Sequence, residues 1–221
     1  QEYSKLIEEG HSQRSACLIL GLNRSTIQRY IKSVLEDEVS EDGKTLSNKP
    51  RILFYDIETT LAKSYHFGQF KQYLGVKQQI QEGHLLSHAW AWNDGDVIGS
   101  ILTREEILDH DPERLVLEAW ALFDNADIIV AHYGKKFDIP KMNGYFLKYG
   151  LQPPSPFKVV DTKEISSKKF LLPFNSLEYL AKALGVQQKI DNSGIQLWID
   201  CDHGKQESLD EMLAYNIGDV E

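Results

Sequence analysis

The most constraining feature of the sequence is an apolar run that leads directly into two carboxylates. Residues Ile52 to Tyr55 have the composition of a buried strand. Asp56 and Glu58 come next, two residues apart, so that on a strand both side chains point to the same face. Two like charges beside an apolar run repel each other and are costly to desolvate unless a cation joins them. The pattern therefore predicts either a cation site at a strand end or two solvated acids beyond it.

Charge divides the chain into three parts. Residues 1–35 carry a net +2, residues 36–50 a net −3 and residues 51–221 a net −8, which together give the formal charge of −9. The middle part is polar and contains both Gly43 and Pro50, as is typical of a linker. We therefore expect a small basic head, a linker and an acidic body. The acidic total argues against bulk attraction of nucleic acid.

The N-terminal head has the pattern of two short helices joined at Gly21. The second helix would start at Ser25, a good N-cap residue, and run to about Val34. The run ILGLNRSTIQRYI resembles the DNA-binding end of serine recombinases and homeodomain-like transposase heads, which implies an all-α helix-turn-helix that contacts duplex DNA. The side chains left for such contacts are Arg24, Thr26, Gln28 and Arg29. The alternative is a helical hairpin that docks on the body or on a partner.

The body alternates strands and helices after an initial group of three strands. Strands are predicted at residues 51–55, 85–92, 97–102, 128–131 and 159–160, and helices at 113–123, 139–149, 176–184 and 209–220. This order indicates an α/β domain whose first three strands form a meander. Ligand-binding and catalytic residues in such sheets usually lie at the carboxyl ends of strands.

Two further acids extend the pattern of Asp56 and Glu58 to other elements. Asp138 follows the strand at 128–131 and begins a predicted helix, where an N-cap role is the simple alternative. Tyr215 and Asp219 are four residues apart on the last helix and therefore share one face. Carboxylates on three separate elements form the kind of hard oxygen set that suits Mg²⁺ or Mn²⁺.

Three motifs in this order resemble those of the DEDD exonucleases of the RNase H-like superfamily. FYDIETT is similar to their first motif, AHYGKKFDIP to their second and YNIGD to their third. The spacing of Tyr215 and Asp219 is that of the tyrosine subgroup, and the whole is closest to exonucleases related to B-family polymerase proofreading domains. The resemblance implies an RNase H-like mixed five-stranded sheet flanked by helices over residues 51–221. Phage-encoded versions of such proteins exist, so a phage source is one expectation.

The same resemblance implies a role for each of these residues. Asp56, Glu58 and Asp219 would hold one divalent ion, Asp56 would bridge to a second, and Asp138 would complete the set from the outer side. Tyr215 would orient the attacking water. The implied reaction is two-metal-ion removal of 5′-mononucleotides from single-stranded 3′ ends, with DNA favoured over RNA.

Several residues near the second motif are candidates for contact with the nucleic acid. His132 would touch a phosphate or be a polar strand-end residue, and Lys135 would hold the scissile strand or be solvated. Many relatives have Asn at the position of Tyr133, which would stack on a base or simply pack. The aromatic side chains of the long segment after the first strand, Phe67, Phe70 and Tyr73, would guide single-stranded substrate, with packing as the safer interpretation.

Two other functions are compatible with parts of the pattern. A DDE-type transposase or integrase also joins a helix-turn-helix to an RNase H-like body, but it lacks a Glu two residues after the first Asp and a Tyr four before the last acid. A non-catalytic DNA-binding adaptor with a decayed exonuclease body is the other alternative. The retention of all four acids and of Tyr215 speaks against decay.

The remaining features concern location and completeness. No run approaches the roughly 18 to 20 apolar residues that span a bilayer, and the N-terminus lacks the pattern of a secretory signal. Cys17 and Cys201 stand apart, as is typical of reduced thiols. We therefore expect a cytoplasmic protein of a bacterial or phage-infected cell, without membrane contact. Because the chain starts without Met and stops two residues past Asp219, we also expect further C-terminal residues.

Overall fold

The computed structural model describes residues 49–68, 70, 73–186 and 193–221. The predicted helix-turn-helix at residues 1–35, with Arg24, Thr26, Gln28 and Arg29, lies outside the described residues. The same holds for the predicted linker, apart from its last two residues. Among the described residues, no helix is both long enough and apolar enough to cross a membrane.

A mixed five-stranded sheet forms the centre of the body and confirms the predicted architecture. Its order is β5-β4-β1-β6-β7, in which β1 lies antiparallel to β4 and parallel to β6. β4 also pairs antiparallel with β5, so the expected meander of three strands is present. The strands are β1 Ile52–Thr59, β4 Leu85–Trp92, β5 Ile98–Ile101, β6 Ile128–Ala131 and β7 Lys158–Asp161.

Seven α-helices flank this sheet in the described part of the chain. They are α1 Arg104–Leu108, α2 Glu113–Asp124, α3 Asp138–Lys148, α4 Thr162–Lys169, α5 Leu177–Leu184, α6 Ile195–Asp202 and α7 Gln206–Val220. The four predicted helices correspond to α2, α3, α5 and α7, each within three residues at either end. The sequence did not predict α4, because its residues TKEISSKK carry almost no apolar periodicity.

The two faces of β1 have different partners, as its alternating sequence requires. Leu53, Tyr55 and Ile57 are buried, and the Tyr55 ring meets the Phe123 ring of α2 edge-on at 4.9 Å. Phe54, Asp56 and Glu58 point to the opposite face, which α7 covers in part. The predicted common face of Asp56 and Glu58 is therefore confirmed, and it is opposite the face that packs on Phe123.

A small second sheet leaves the carboxyl end of β1. Its two strands, β2 Lys63–Ser64 and β3 Gln79–Gln81, pair antiparallel and define a hairpin that we call the β2–β3 hairpin, residues 60–81. Packing was the safer expectation for the aromatic side chains of this segment, and the structure shows that it is wrong. Phe67, Phe70 and Tyr73 are all largely exposed, and the two strands on either side of them pair with each other and not with the main sheet.

Candidate active site

Three carboxylates from two elements converge on one face of the sheet. Asp56 and Glu58 lie in β1, and Asp219 lies in the last turn of α7. Each offers an oxygen atom, and these atoms all lie within 4.8 Å of one another. All three side chains are half-buried, so the group is open to a ligand while its charges are partly removed from water. Because β1 continues to Thr59, both acids are inside the strand, which corrects the expectation that the strand ends before them.

Small residues allow α7 to approach the sheet at this point. In the antiparallel register, Ala89 of β4 lies opposite Asp56 and Ser87 lies opposite Glu58. Gly99 of the adjacent strand β5 is just as important, because a Cβ atom there would lie 2.7 Å from Cγ1 of Ile217. A larger residue at position 99 would push α7 outward and carry Asp219 away from β1.

A buried hydrogen-bond relay fixes one of these carboxylates. The Asn216 side-chain amide of α7 donates to Oδ2 of Asp56 at 2.7 Å, and the Ser87 hydroxyl donates to Oδ1 of Asn216 at 2.9 Å. Ser87 and Asn216 are both fully buried. The relay links β4, α7 and β1, and neither residue was singled out from the sequence. Asn216 lies inside the YNIGD motif, but an Asn in a helix carries no signal of its partner.

Asp138 occupies a different environment from the three clustered acids. It is the first residue of α3, is 2% exposed and accepts a hydrogen bond at Oδ1 from the Ile57 backbone N–H at 3.2 Å. It is therefore not an N-cap, which corrects the simple alternative, and it lies outside the three-carboxylate cluster. Burial raises the pKa of Asp138 to about 7, against the lowering effect of backbone N–H groups, and the nearby Asp161 carboxylate raises this pKa further.

Asp161 organises the loop between β6 and α3. Its Oδ1 accepts from the N–H groups of Tyr133 and Glu164, and its Oδ2 accepts from the N–H of Lys135. One buried carboxylate thus caps α4 and fixes the turn that carries the second motif. Asp161 is not among the predicted site residues, although an Asp that follows a strand and precedes Thr-Lys-Glu is a recognisable helix start.

Tyr133 has a strained backbone and an exposed ring. Its φ is +71°, in the left-handed region that Asn adopts more easily than Tyr. The ring is 41% exposed, with the Nζ atoms of Lys163 and Lys136 at 4.4 and 5.9 Å from its centroid. The next residue must be Gly134, because a Cβ there would lie 2.4 Å from Cβ of Ala131.

The other predicted contacts of the second motif have partners within the protein. The two ring nitrogens of His132 lie 2.9 Å from Oγ1 of Thr162 and 3.1 Å from the backbone oxygen of Asn175. These two bonds favour the interpretation of His132 as a polar strand-end residue. Lys135 donates to Glu164 at 2.6 Å, and this hydrogen bond raises the pKa of Lys135.

Tyr215 lies on the same helix as Asp219. It lies one turn before Asp219 in α7, directly next to Asn216, and its ring meets that of Trp198 of α6 at 6.1 Å. A largely apolar cavity of about 280 Å³, which Asp56 and Asp219 line together with Phe54 and Leu180, lies beside the cluster. The predicted residues Asp56, Glu58 and Asp219 are thus brought together, with Tyr215 one turn away from the last of them.

Comparison with known proteins gives one structural likeness and one family match. No curated protein matches the sequence. Among solved structures, the family B DNA polymerase from the hyperthermophilic archaeon Pyrobaculum calidifontis is similar, with a TM-score of 0.55 and 13% sequence identity. The similarity covers 80% of this chain but only 24% of the polymerase, so the chain spans about a quarter of that protein, and at this identity the likeness shows the fold alone.

A family model provides the assignment that the structural likeness does not. The RNase_H_2 model, which is part of the RNase_H superfamily, matches residues 53–221. The matched region includes β1 and α7, the two elements that carry the carboxylate cluster. Because the match extends over most of the chain, the protein belongs to the RNase_H_2 family of the RNase_H superfamily.

Proposed function

We propose that this protein is a metal-dependent 3′–5′ exonuclease of the tyrosine subgroup of DEDD enzymes. Membership of the RNase_H superfamily and the RNase H-like fold support nuclease activity on nucleic acid. The observation that carries the finer proposal is the group of three carboxylates within 4.8 Å, with Tyr215 one helical turn before Asp219. The favoured substrate is DNA with a single-stranded 3′ end, and the products are 5′-mononucleotides.

The donor set fits a hard divalent cation. RNase H-like nucleases use divalent metals, and carboxylate oxygens are the ligands that Mg²⁺ and Mn²⁺ prefer. Asp56, Glu58 and Asp219 would hold one ion, and Asp56 would be shared with a second, with Asp138 as the outer acid. When bound, a pair of such ions stabilises the attacking and leaving oxygens at phosphorus.

The chain's own residues would position the reactants. The Asn216 amide holds the Asp56 carboxylate in one orientation through the hydrogen bond at 2.7 Å. Tyr215 is 7% exposed and held against Trp198, so its phenol can orient a water in a fixed direction. A phenol of pKa about 10 can act by orientation without serving as the base.

The two alternative functions, a transposase and a non-catalytic adaptor, do not require the clustered acids that this chain has. A DDE-type transposase has no need for an acid two residues after the first Asp, yet Glu58 belongs to the cluster here. A non-catalytic adaptor has no need to keep three like charges together on a half-buried face, where they repel. Both features favour the exonuclease.

The head and the cellular setting complete the proposal. Residues 1–35 would bind duplex DNA through Arg24, Thr26, Gln28 and Arg29 and bring the body to its substrate. Deletion of residues 1–49 should weaken duplex binding and leave single-strand cleavage intact.

We further propose a cytoplasmic enzyme, with a phage-infected cell as one setting.

A labelled single strand of DNA tests the proposal directly. With Mg²⁺ or Mn²⁺, a 5′-labelled strand should give a ladder that shortens from the 3′ end, and EDTA should abolish it. Asp56→Asn and Asp219→Asn should be inactive. Tyr215→Phe should retain cleavage at a rate about 10- to 100-fold lower, because this factor corresponds to the free energy of one hydrogen bond to a charged group. Asp210→Asn is the matched control, because Asp210 is an exposed acid on the same helix as Asp219. Full activity in Asp56→Asn would refute the assignment.

A further inference from the structure

The β2–β3 hairpin has a composition unlike the rest of the body. Residues 60–81 contain three lysines and no Asp or Glu, a net +3, within a body of net −8. The same residues include four aromatic side chains of Tyr and Phe. An acid-free, aromatic segment in an acidic domain is the composition expected of a surface that meets nucleic acid.

The structure exposes the aromatic side chains of this hairpin. Phe67 is 106% exposed, Tyr73 95% and Tyr65 73%, values far above those of the apolar side chains around β1. Val76 and Lys77, in the short 3-10 helix Val76–Gln78 that precedes β3, are also exposed. Clustered exposed apolar side chains of this size indicate an interaction site, because single scattered ones are normal but a group is not.

The base of the hairpin is fixed to the body, so that the exposed side chains have a defined support. Two hydrogen bonds hold the two arms of the hairpin together: the Tyr65 N–H donates to the Gln78 backbone oxygen at 2.8 Å, and the Gln78 side-chain amide donates to the Tyr65 backbone oxygen at 3.2 Å. Lys63 forms an ion pair with Asp202 of α6, and the Gln81 amide lies 3.2 Å from the His110 ring nitrogen Nδ1. The hairpin is thus connected to the body on two sides.

An open cleft lies where this hairpin leaves β1. It has a volume of about 470 Å³, and its lining includes Thr59, Leu61 and Ala62, the residues between Glu58 and the first strand of the hairpin. Lys141 of α3 and Trp198 of α6 form other parts of the wall. Trp198 also contacts Tyr215, and Thr59 is the residue that follows Glu58, so the cleft shares its wall with the surroundings of the cluster. Tyr65 is seven residues from Glu58, which places it at most about 25 Å away along the chain.

We propose that the exposed face of the β2–β3 hairpin binds the single strand of the substrate behind its 3′ terminus. The bases would stack on Tyr65, Phe67 and Tyr73, while Lys77 would meet a phosphate. This inference rests on the proposed function, because it extends the path of the strand from the same site. Charge complementarity and continuity with the cleft select single-stranded nucleic acid as the occupant, and stacking makes the contact tolerant of base sequence.

Binding to an oligonucleotide tests the proposal without cleavage. The full chain is titrated in EDTA with a fluorescent deoxythymidine strand of about 20 nucleotides, and anisotropy gives the Kd. The double variant Phe67→Ala, Tyr73→Ala should bind about tenfold more weakly or worse, since a stacked base contributes this much on alanine substitution. Phe67→Tyr should bind as the unchanged chain does, and Lys77→Gln should reduce the slope of log Kd against log salt by about one. Leu147→Ala, which removes an 81% exposed apolar side chain outside the hairpin, is the matched control.

Cleavage of substrates of two lengths separates this proposal from the proposed function. With Mg²⁺, the double variant should show a raised KM and an unchanged kcat on the long strand, and normal cleavage of a trinucleotide that cannot reach the hairpin. If the unchanged chain cleaves no strand, the proposed nuclease activity is refuted. Strand binding by the hairpin is still decided by the titration in EDTA. Equal Kd values for the double variant and the unchanged chain would overturn the hairpin proposal. Sedimentation tests a second copy of the chain as the occupant. If the unchanged chain is a dimer, the double variant is a monomer and both bind the strand equally, the hairpin is a dimer interface and the proposal of strand binding is overturned.

Discussion

The side-chain amide of Asn216 donates a hydrogen bond to Oδ2 of Asp56 over 2.7 Å, and this pair joins α7 to the central strand. Asp56 cannot accept from an amide oxygen, so its charge fixes which way the Asn216 amide points. The Oδ1 of Asn216 then faces the Ser87 hydroxyl, which donates to it at 2.9 Å. A carboxylate oriented by such a partner loses less freedom on binding a cation than a mobile one does.

Asn216→Leu tests this relationship, because Leu has a similar shape but no donor. We expect Mn²⁺ affinity, measured by electron paramagnetic resonance, to fall about 10- to 100-fold, the usual effect of removing a hydrogen-bond partner of a metal ligand. Ser87→Ala, which removes only the far end of the relay, should lower the affinity in the same direction by less. Unchanged Mn²⁺ affinity with a lower melting temperature would show that Asn216 only packs.

Gly134 is expected to be essential for the turn after β6. Gly134→Ala would place a Cβ 2.4 Å from Cβ of Ala131, and neither atom can rotate away. Overpacking of this kind costs about 1–3 kcal/mol, which for a chain of this size lowers the melting temperature by about 2–4 °C per kcal/mol. Thermal unfolding followed by circular dichroism measures the change.

Gly144 provides the matched control for that substitution. It is exposed within α3, and a Cβ there would meet no atom within 4 Å. Gly144→Ala should therefore raise the stability by up to about 1 kcal/mol, because Ala favours the helix more than Gly does. A stabilising Gly134→Ala would contradict the geometry of the turn.

Buried His84 should make the protein less stable in mild acid. Burial lowers the pKa of His84 to about 4, with a further lowering by His110, against about 6.5 in the unfolded chain. Between these two values the unfolded chain binds a proton that the folded chain does not bind. The stabilisation from a neutral His84 is therefore complete above pH 6.5 and is lost as the pH falls towards 4, by about 1.4 kcal/mol per pH unit.

Urea unfolding at pH 7 and pH 5 isolates this contribution. Other groups titrate in the same range, so the informative quantity is the difference between the unchanged chain and His84→Asn, which keeps a polar group near Thr60. We expect the unchanged chain to lose about 2 kcal/mol more than the variant between the two pH values. Equal losses in both proteins would show that His84 does not titrate as expected.

The sequence predicted the elements whose apolar pattern is simple and the residues that carry formal charge. β1, β4, β6 and α2 have clear periodicities, and their bounds agree with the structure to within a few residues. The pairing of Asp56 and Glu58 on one face followed from the period of a strand. Asp219 was assigned to the same site from the resemblance of the motif YNIGD. Periodicity alone does not show where a helix crosses a sheet.

Other parts depended on tertiary contacts that no local pattern contains. Asn216 and Ser87 are 129 residues apart, and their bond exists only because α7 crosses β4. The buried state of Asp138 depends on the backbone of β1, 81 residues earlier. The exposure of Phe67 was predicted wrongly, because aromatic residues usually pack and the sequence did not show that β2 and β3 form a separate sheet.

The most direct test is the location of Mn²⁺ in crystals by its anomalous scattering. We expect a peak in contact with the carboxylates of Asp56, Glu58 and Asp219 at Mn²⁺ concentrations that support strand cleavage, and its loss in the inactive Asp56→Asn variant. A protein that cleaves DNA at the same Mn²⁺ concentration with no ion between these three residues would contradict the assignment of the cluster as the catalytic metal site.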